Sequence, residues 1–148
     1  MTVASITARA GTGPDSAGLL GLSRRGVAEA AMAPNAAQRY AAAHLAALRA
    51  AAAVVAAKAQ PDQRAGSRRR PISVWVLLSR VAPELAEWAS FFAAGARKRA
   101  AAEAGLVGQV SAREADDLLR DAETFLHVAE SVLRVTHQEA LPLLRPGA

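Results

Sequence analysis

An arginine and a histidine seven positions apart, Arg120 and His127 in "RDAETFLH", are the pair in this sequence whose types and spacing fit acid–base chemistry on a phosphate. On a helix seven residues turn through nearly two full circles. The two side chains then share one face, about 20° apart in azimuth and roughly 10 Å apart along the axis. An imidazole there could take or give a proton near neutral pH, and a guanidinium could hold a phosphate oxygen. The same residues also fit a salt-bridge ladder. Asp116 with Arg120, Glu123 with His127 and Glu130 with Arg134 are spaced i,i+4 with the acid first, the favourable order. Both readings put the pair away from the core.

The helix that carries them is the best-signalled element. "SARE", Ser111 to Glu114, is a capping box. Ala115, Leu118, Leu119, Ala122, Phe125, Leu126, Ala129, Val132 and Leu133 then repeat at helical spacing, a stripe that needs neighbours on both sides. Upstream, Asp15 or Ser16 caps a first helix over 16–31. Asn35 caps a second over 36–59, with Ala41, Leu45, Leu48, Ala52 and Val55 on one face. Ser73 caps a short helix over 74–82. Pro83 opens another that runs to about Glu103, where Gly105 and Gly108 end it. Nothing alternates with strand period. The expected fold is all-α, a four- to five-helix antiparallel bundle over residues 16–135, with residues 1–15 disordered, an arginine-rich loop at 60–72 and a C-terminal tail at 136–148.

The bulk numbers fit one domain. The chain has 148 residues, 52% of them hydrophobic but with much of that alanine, and only 4% aromatic. Trp75, Trp88, Phe91, Phe92 and Phe125 are therefore the expected core anchors. There is no cysteine, so neither disulfides nor thiolate metal sites are available, and a reducing cytoplasm is the expected location. Residues 1–15 lack the apolar run of a signal peptide. The alanine-rich stretch 41–57 carries His44 and Arg49 and reads as a soluble helix, not a membrane span. No phosphate loop, zinc spacing or nucleophile elbow is present, so no cofactor is expected.

The net charge of +5 rests mainly on arginine, with clusters at Arg68, Arg69 and Arg70 and at Arg97, Lys98 and Arg99. Arg68–Arg70 are candidates for phosphate contact. The competing explanation is a composition bias that the alanine content shares, and no aromatics interleave the clusters as single-strand binding would want. Among other residues, His44 reads as the polar flank of an alanine-rich helix, or as a site edge one turn after Tyr40. His137 falls in the tail. Glu84 and Glu87 read as acids at a helix start.

"RDAETFLH" together with "AAQRYAAAHLAALRAAAAV" and "VWVLLSRVAPELAEWASFFAAGARKRAAAEAG" resembles the HEPN domain superfamily, in a branch found in high-GC Gram-positive bacteria, over roughly residues 16–135. The motif fits R-x(4–6)-H at its upper spacing, with Asp121 as the polar residue after the arginine. The resemblance implies a homodimer whose motif helices share a cleft. In active members that cleft cuts RNA without metal. Carried onto this chain, His127 would be general base or acid on a ribose 2′-OH and Arg120 would stabilise phosphate charge. Other HEPN proteins are binding or regulatory modules for a nucleotide, nucleic acid or protein. The helix 111–134 is net acidic, with Asp116, Glu123 and Glu130 beside the pair, which disfavours phosphate. The reading that follows is a non-catalytic interaction or binding module, the alternative a metal-independent endoribonuclease.

Overall fold

Side-chain caps set where the helices begin. In the computed structural model, which describes residues 15–59, 72–106 and 108–139, Asp15 Oδ1 accepts from the Gly18 amide at 2.8 Å and opens α1, Ser16–Ala31. Asn35 Oδ1 accepts from the Gln38 amide at 2.9 Å and opens α2, Ala36–Lys58. Ser73 Oγ accepts from the Trp75 amide at 3.1 Å and opens α3, Val74–Val81. The capping box closes reciprocally: the Ser111 amide donates to Glu114 Oε1 at 2.9 Å and the Glu114 amide to Ser111 Oγ at 3.0 Å. Each bond satisfies an amide that the helix itself leaves open. The final helix, α6, spans Ala112–Glu139.

Between them, the expected helix 83–103 is divided. A 3-10 turn at Pro83–Leu85 leads into α4, Ala86–Ala94, and a break at Gly95 separates it from α5, Ala96–Glu103. The break coincides with a carbonyl that is taken twice. Phe92 O accepts from the Gly95 amide at 3.0 Å and faces His44 Nε2 at 2.8 Å. Counted as one interrupted element, 83–103 leaves five elements in an all-α bundle, and no strand occurs among the described residues. The positive φ of Gly105 and Gly108, 75° and 88°, turns the chain out of α5. α6 continues to Glu139, past the Arg134 end expected from the sequence, which puts His137 in its last turn and not in a tail. Residues 1–14, most of the arginine-rich loop and the segment from 140 lie outside the described residues.

α2 is the centre. It packs against α1, α3, α5 and α6. Its buried positions are Tyr40, Ala43, His44, Ala46, Ala47, Ala50, Ala51, Ala53 and Val54. The stripe of larger residues read from the sequence is thus rotated to the flanks. Ala41, Leu48 and Val55 are half-buried, as are Leu45 and Ala52. Surrounded on several sides, α2 offers its smallest side chains where neighbouring backbones come closest. Ser23 Oγ on α1 donates to Ala46 O at 2.7 Å, and Ser16 Oγ to Ala53 O at 2.9 Å. By length and hydropathy α2 would suffice to cross a membrane, but half of its most apolar window is buried inside the bundle.

The aromatic anchors gather where α3, α4 and α6 meet. Phe92 and Phe125 are fully buried, with ring centroids 5.3 Å apart. Trp75 and Trp88 lie 6.2 and 5.5 Å from Phe125. On α6 the expected stripe is in place, with Ala115, Leu118, Ala122, Phe125, Leu126 and Ala129 buried. Phe91 is a correction: it is 48% exposed, because α4 turns Phe92 and not its neighbour toward the core.

Candidate functional site

α6 turns its apolar stripe inward, so Arg120 and His127 stand on the outer side, with side chains 71% and 79% exposed. The i,i+4 ladder expected there does not form. Arg120 Nη1 donates to Asp117 Oδ1, three residues earlier, at 3.1 Å. His127 Nδ1 lies 3.3 Å from Glu130 Oε1, three residues later. Arg134 donates to Ser131 Oγ at 3.1 Å and not to Glu130. The acids are drawn elsewhere by helices far away in sequence. Arg24 Nε on α1 donates to Glu130 Oε2 at 2.8 Å, and Arg39 Nη1 on α2 donates to Asp116 Oδ1 at 2.9 Å.

Two consequences follow for the chemistry of this face. First, Arg24 and Arg39 neutralise two of the acids that make α6 look hostile to phosphate in the sequence. They were missed because only the packing of α1 and α2 on α6 brings them there. Second, Glu130 stands on the Nδ1 side of the His127 ring, which leaves the Nε2 side facing away from that carboxylate. Glu130 itself is steadied by Arg24. The side chain of Thr124 donates to Arg120 O at 3.0 Å, within the same turn.

Asp121, the acid after the arginine, is half-buried, and its carboxyl is raised above the usual range by that burial, then by the charge of Asp117, with Arg120 opposing. It lines a shallow hollow with Glu87, Trp88 and Phe91. A separate cleft of about 630 Å³ runs between the start of α2 and the end of α5, along Ala37, Ala41, Leu45, Ala102, Leu106 and Val110. Neither hollow is lined by Arg120 or His127.

His44 is not the polar flank expected of it. It is 1% exposed, enclosed by the rings of Tyr40, Trp75 and Phe92 at 6.5, 6.0 and 6.0 Å. Its Nε2 faces the Phe92 carbonyl and its Nδ1 has no partner among the described residues. Burial pushes its pKa below the usual imidazole value. The basic cluster at 97–99 is split between roles: Arg97 is exposed, Lys98 is bonded to Glu114, and Arg99 lies 3.7 Å from Glu103 with its Nε buried and without a partner among the described residues. Arg68, Arg69 and Arg70 lie outside the described residues. No group of three or more metal-ligating side chains is assembled among the described residues.

The chain matches the HEPN_SAV_6107-like HEPN family over residues 30–130, a stretch that begins at the end of α1 and includes both Arg120 and His127. Comparison with curated proteins gives no match, and comparison with solved structures gives none either. The family match covers more than half of the sequence and agrees with an all-α bundle closed by a long motif-bearing helix: the chain belongs to the HEPN_SAV_6107-like HEPN family.

Proposed function

We propose that this HEPN domain is a non-catalytic interaction module whose outer α6 face docks on another protein surface, a second copy of the chain included. The observation that carries the reading is the state of the pair itself. Arg120 and His127 are exposed and each is held by an acid of its own helix, Asp117 and Glu130. A phosphate would have to displace Asp117 from Arg120 and approach Glu123 and Asp121, whose charges no cation pairs with among the described residues. A mixed-charge protein surface would instead keep those carboxylates partnered. We place the module in the cytoplasm, as a homodimer that spans no membrane.

A second reading is favoured by a specific observation: Arg24 and Arg39 offset Glu130 and Asp116, and the His127 ring is exposed on the same face. In that reading the chain is a metal-independent endoribonuclease. His127 takes the proton of a ribose 2′-OH, the 2′-oxygen attacks phosphorus, the 5′-oxygen leaves and is protonated by water, and Arg120 stabilises the phosphate charge.

Incubation of the purified protein with single-stranded RNA in excess chelator separates the two. The expected result is intact RNA. Chelator-resistant cutting that spares DNA and disappears in His127→Ala and Arg120→Ala, both still helical, replaces the first reading by the second.

A further inference from the structure

Beside the motif face, α4 and α6 border a shallow hollow of about 310 Å³ lined by Glu87, Trp88, Phe91 and Asp121. Its walls are two aromatic rings and two carboxylates, with no basic residue among the described ones. The rings are braced from behind. Phe91 meets Phe92 edge-on at 5.0 Å, and Trp88 stacks on Phe92 at 5.9 Å and tilts against Phe125 at 5.5 Å. Phe91 nevertheless leaves 48% of its surface exposed.

Like Glu123, the two carboxylates of the hollow are without a paired base among the described residues, unlike four other acids of α6. Glu114, Asp116, Asp117 and Glu130 each pair with a base, whereas Glu87 and Asp121 have no ion pair or hydrogen bond among the described residues. The pKa of Asp121 is raised by burial and then by the charge of Asp117, which outweigh the opposing charge of Arg120.

We infer that this hollow receives the guanidinium of an arginine presented by a protein partner. A planar guanidinium stacks on an aromatic face while its edge N–H groups bond carboxylates at the rim; an ammonium supplies the charge without the stacking plane. The inference rests on the reading of the α6 side as a docking surface and adds the chemistry of what docks. Asp121 follows Arg120 on α6, so the hollow lies about 100° round the helix from the motif arginine.

The test uses the full chain and the indole N–H resonances of its two tryptophans. Trp88 borders the hollow, and Trp75, 5% exposed, is the internal control. N-acetyl-arginine methylamide is titrated against its citrulline counterpart, which is planar and of similar size but uncharged. A saturable shift of Trp88 with the arginine probe is expected, about fivefold weaker with citrulline and in Asp121→Asn, with Trp75 unmoved. Equal shifts for the two probes overturn the inference. A Trp88 resonance that moves with protein concentration but not with the arginine probe shows the hollow covered by a second copy with no arginine bound in it, and also overturns it. Association is followed separately by sedimentation of Arg120→Glu. If the probe binds but association is untouched, the hollow stands and the docking reading falls; if association weakens but no probe binds, the hollow alone falls.

Discussion

Tyr40 on α2 holds its hydroxyl 2.9 Å from the point where a Cβ on Gly95 would lie, with His44 Cδ2 at 3.5 Å from the same point. The tyrosine cannot swing aside freely, since it is 7% exposed and stacked along His44. Gly95→Ala should therefore lower stability by about 1–3 kcal/mol despite the better helix propensity of alanine. In a Tyr40→Phe background, which removes the hydroxyl, most of that loss should vanish. A double-mutant cycle by urea unfolding checks this. Equal losses in both backgrounds would show that the hydroxyl is not the obstacle.

His44 should make the fold acid-sensitive. Its folded pKa lies below the unfolded value, because burial outweighs the Phe92 carbonyl that favours the charged ring. The unfolded chain then binds the proton more readily. Stability is full above about pH 6.5 and falls as the pH drops from there toward the lowered folded pKa. Urea midpoints between roughly pH 7.5 and 5 should decline in the parent protein and decline less in His44→Leu. The leucine variant should itself be about 1–2 kcal/mol less stable, since Phe92 O loses a donor. An unchanged pH slope in the variant would locate the acid sensitivity elsewhere.

Two phenylalanines of the same sequence class should behave oppositely. Phe125 is fully buried among Trp75, Trp88 and Phe92, so Phe125→Ala should destabilise by about 3–5 kcal/mol. Phe91 is half exposed, and Phe91→Ala should change stability by under about 1 kcal/mol. Thermal and urea unfolding of the pair decide it. Similar losses would mean that Phe91 is covered in solution.

Arg120→Glu removes an exposed pair with Asp117 and should alter folding by under about 1 kcal/mol. The proposed homodimer should nevertheless weaken, more at low salt than at high. Sedimentation at tens of micromolar protein gives the mass directly. A monomeric parent protein at that concentration counts against a cleft shared by two chains.

Legibility in the sequence divides by distance along the chain. The caps at Asn35 and Ser73 and the box of Ser111 with Glu114 are local bonds over a few residues and were readable, while the first cap, open between Asp15 and Ser16 in the sequence, falls on Asp15. So was the α6 stripe, because one face meets the core. The outer position of Arg120 and His127 follows from the same periodicity. What a single helix cannot specify was not readable. The facing surface decides between Leu45 and His44 as the inward residue of α2, and only the packed bundle brings Arg24 to Glu130 or Arg39 to Asp116. Exposed acids have several bases within reach, and each i,i+4 pair is too weak to bind its own partner first. Gly95 was passed over because its break involves His44, about fifty residues upstream.

The slimness of α2 has an electrostatic result. Alanines at positions 43, 46, 47, 50, 51 and 53 keep the central axis thin, and α1 and α6 pack on that axis and on each other. Arg24 spans from one to the other, and Arg39 reaches Asp116 from α2 itself. A valine or leucine at one of the alanines would wedge those helices apart by a fraction of a side-chain diameter, enough to stretch charge-assisted bonds of 2.8 and 2.9 Å. The two acids would then be unmasked beside Arg120 and His127. Girth in the interior thereby tunes the potential of the outer face, and a methyl group hidden from solvent can alter which partners that face attracts.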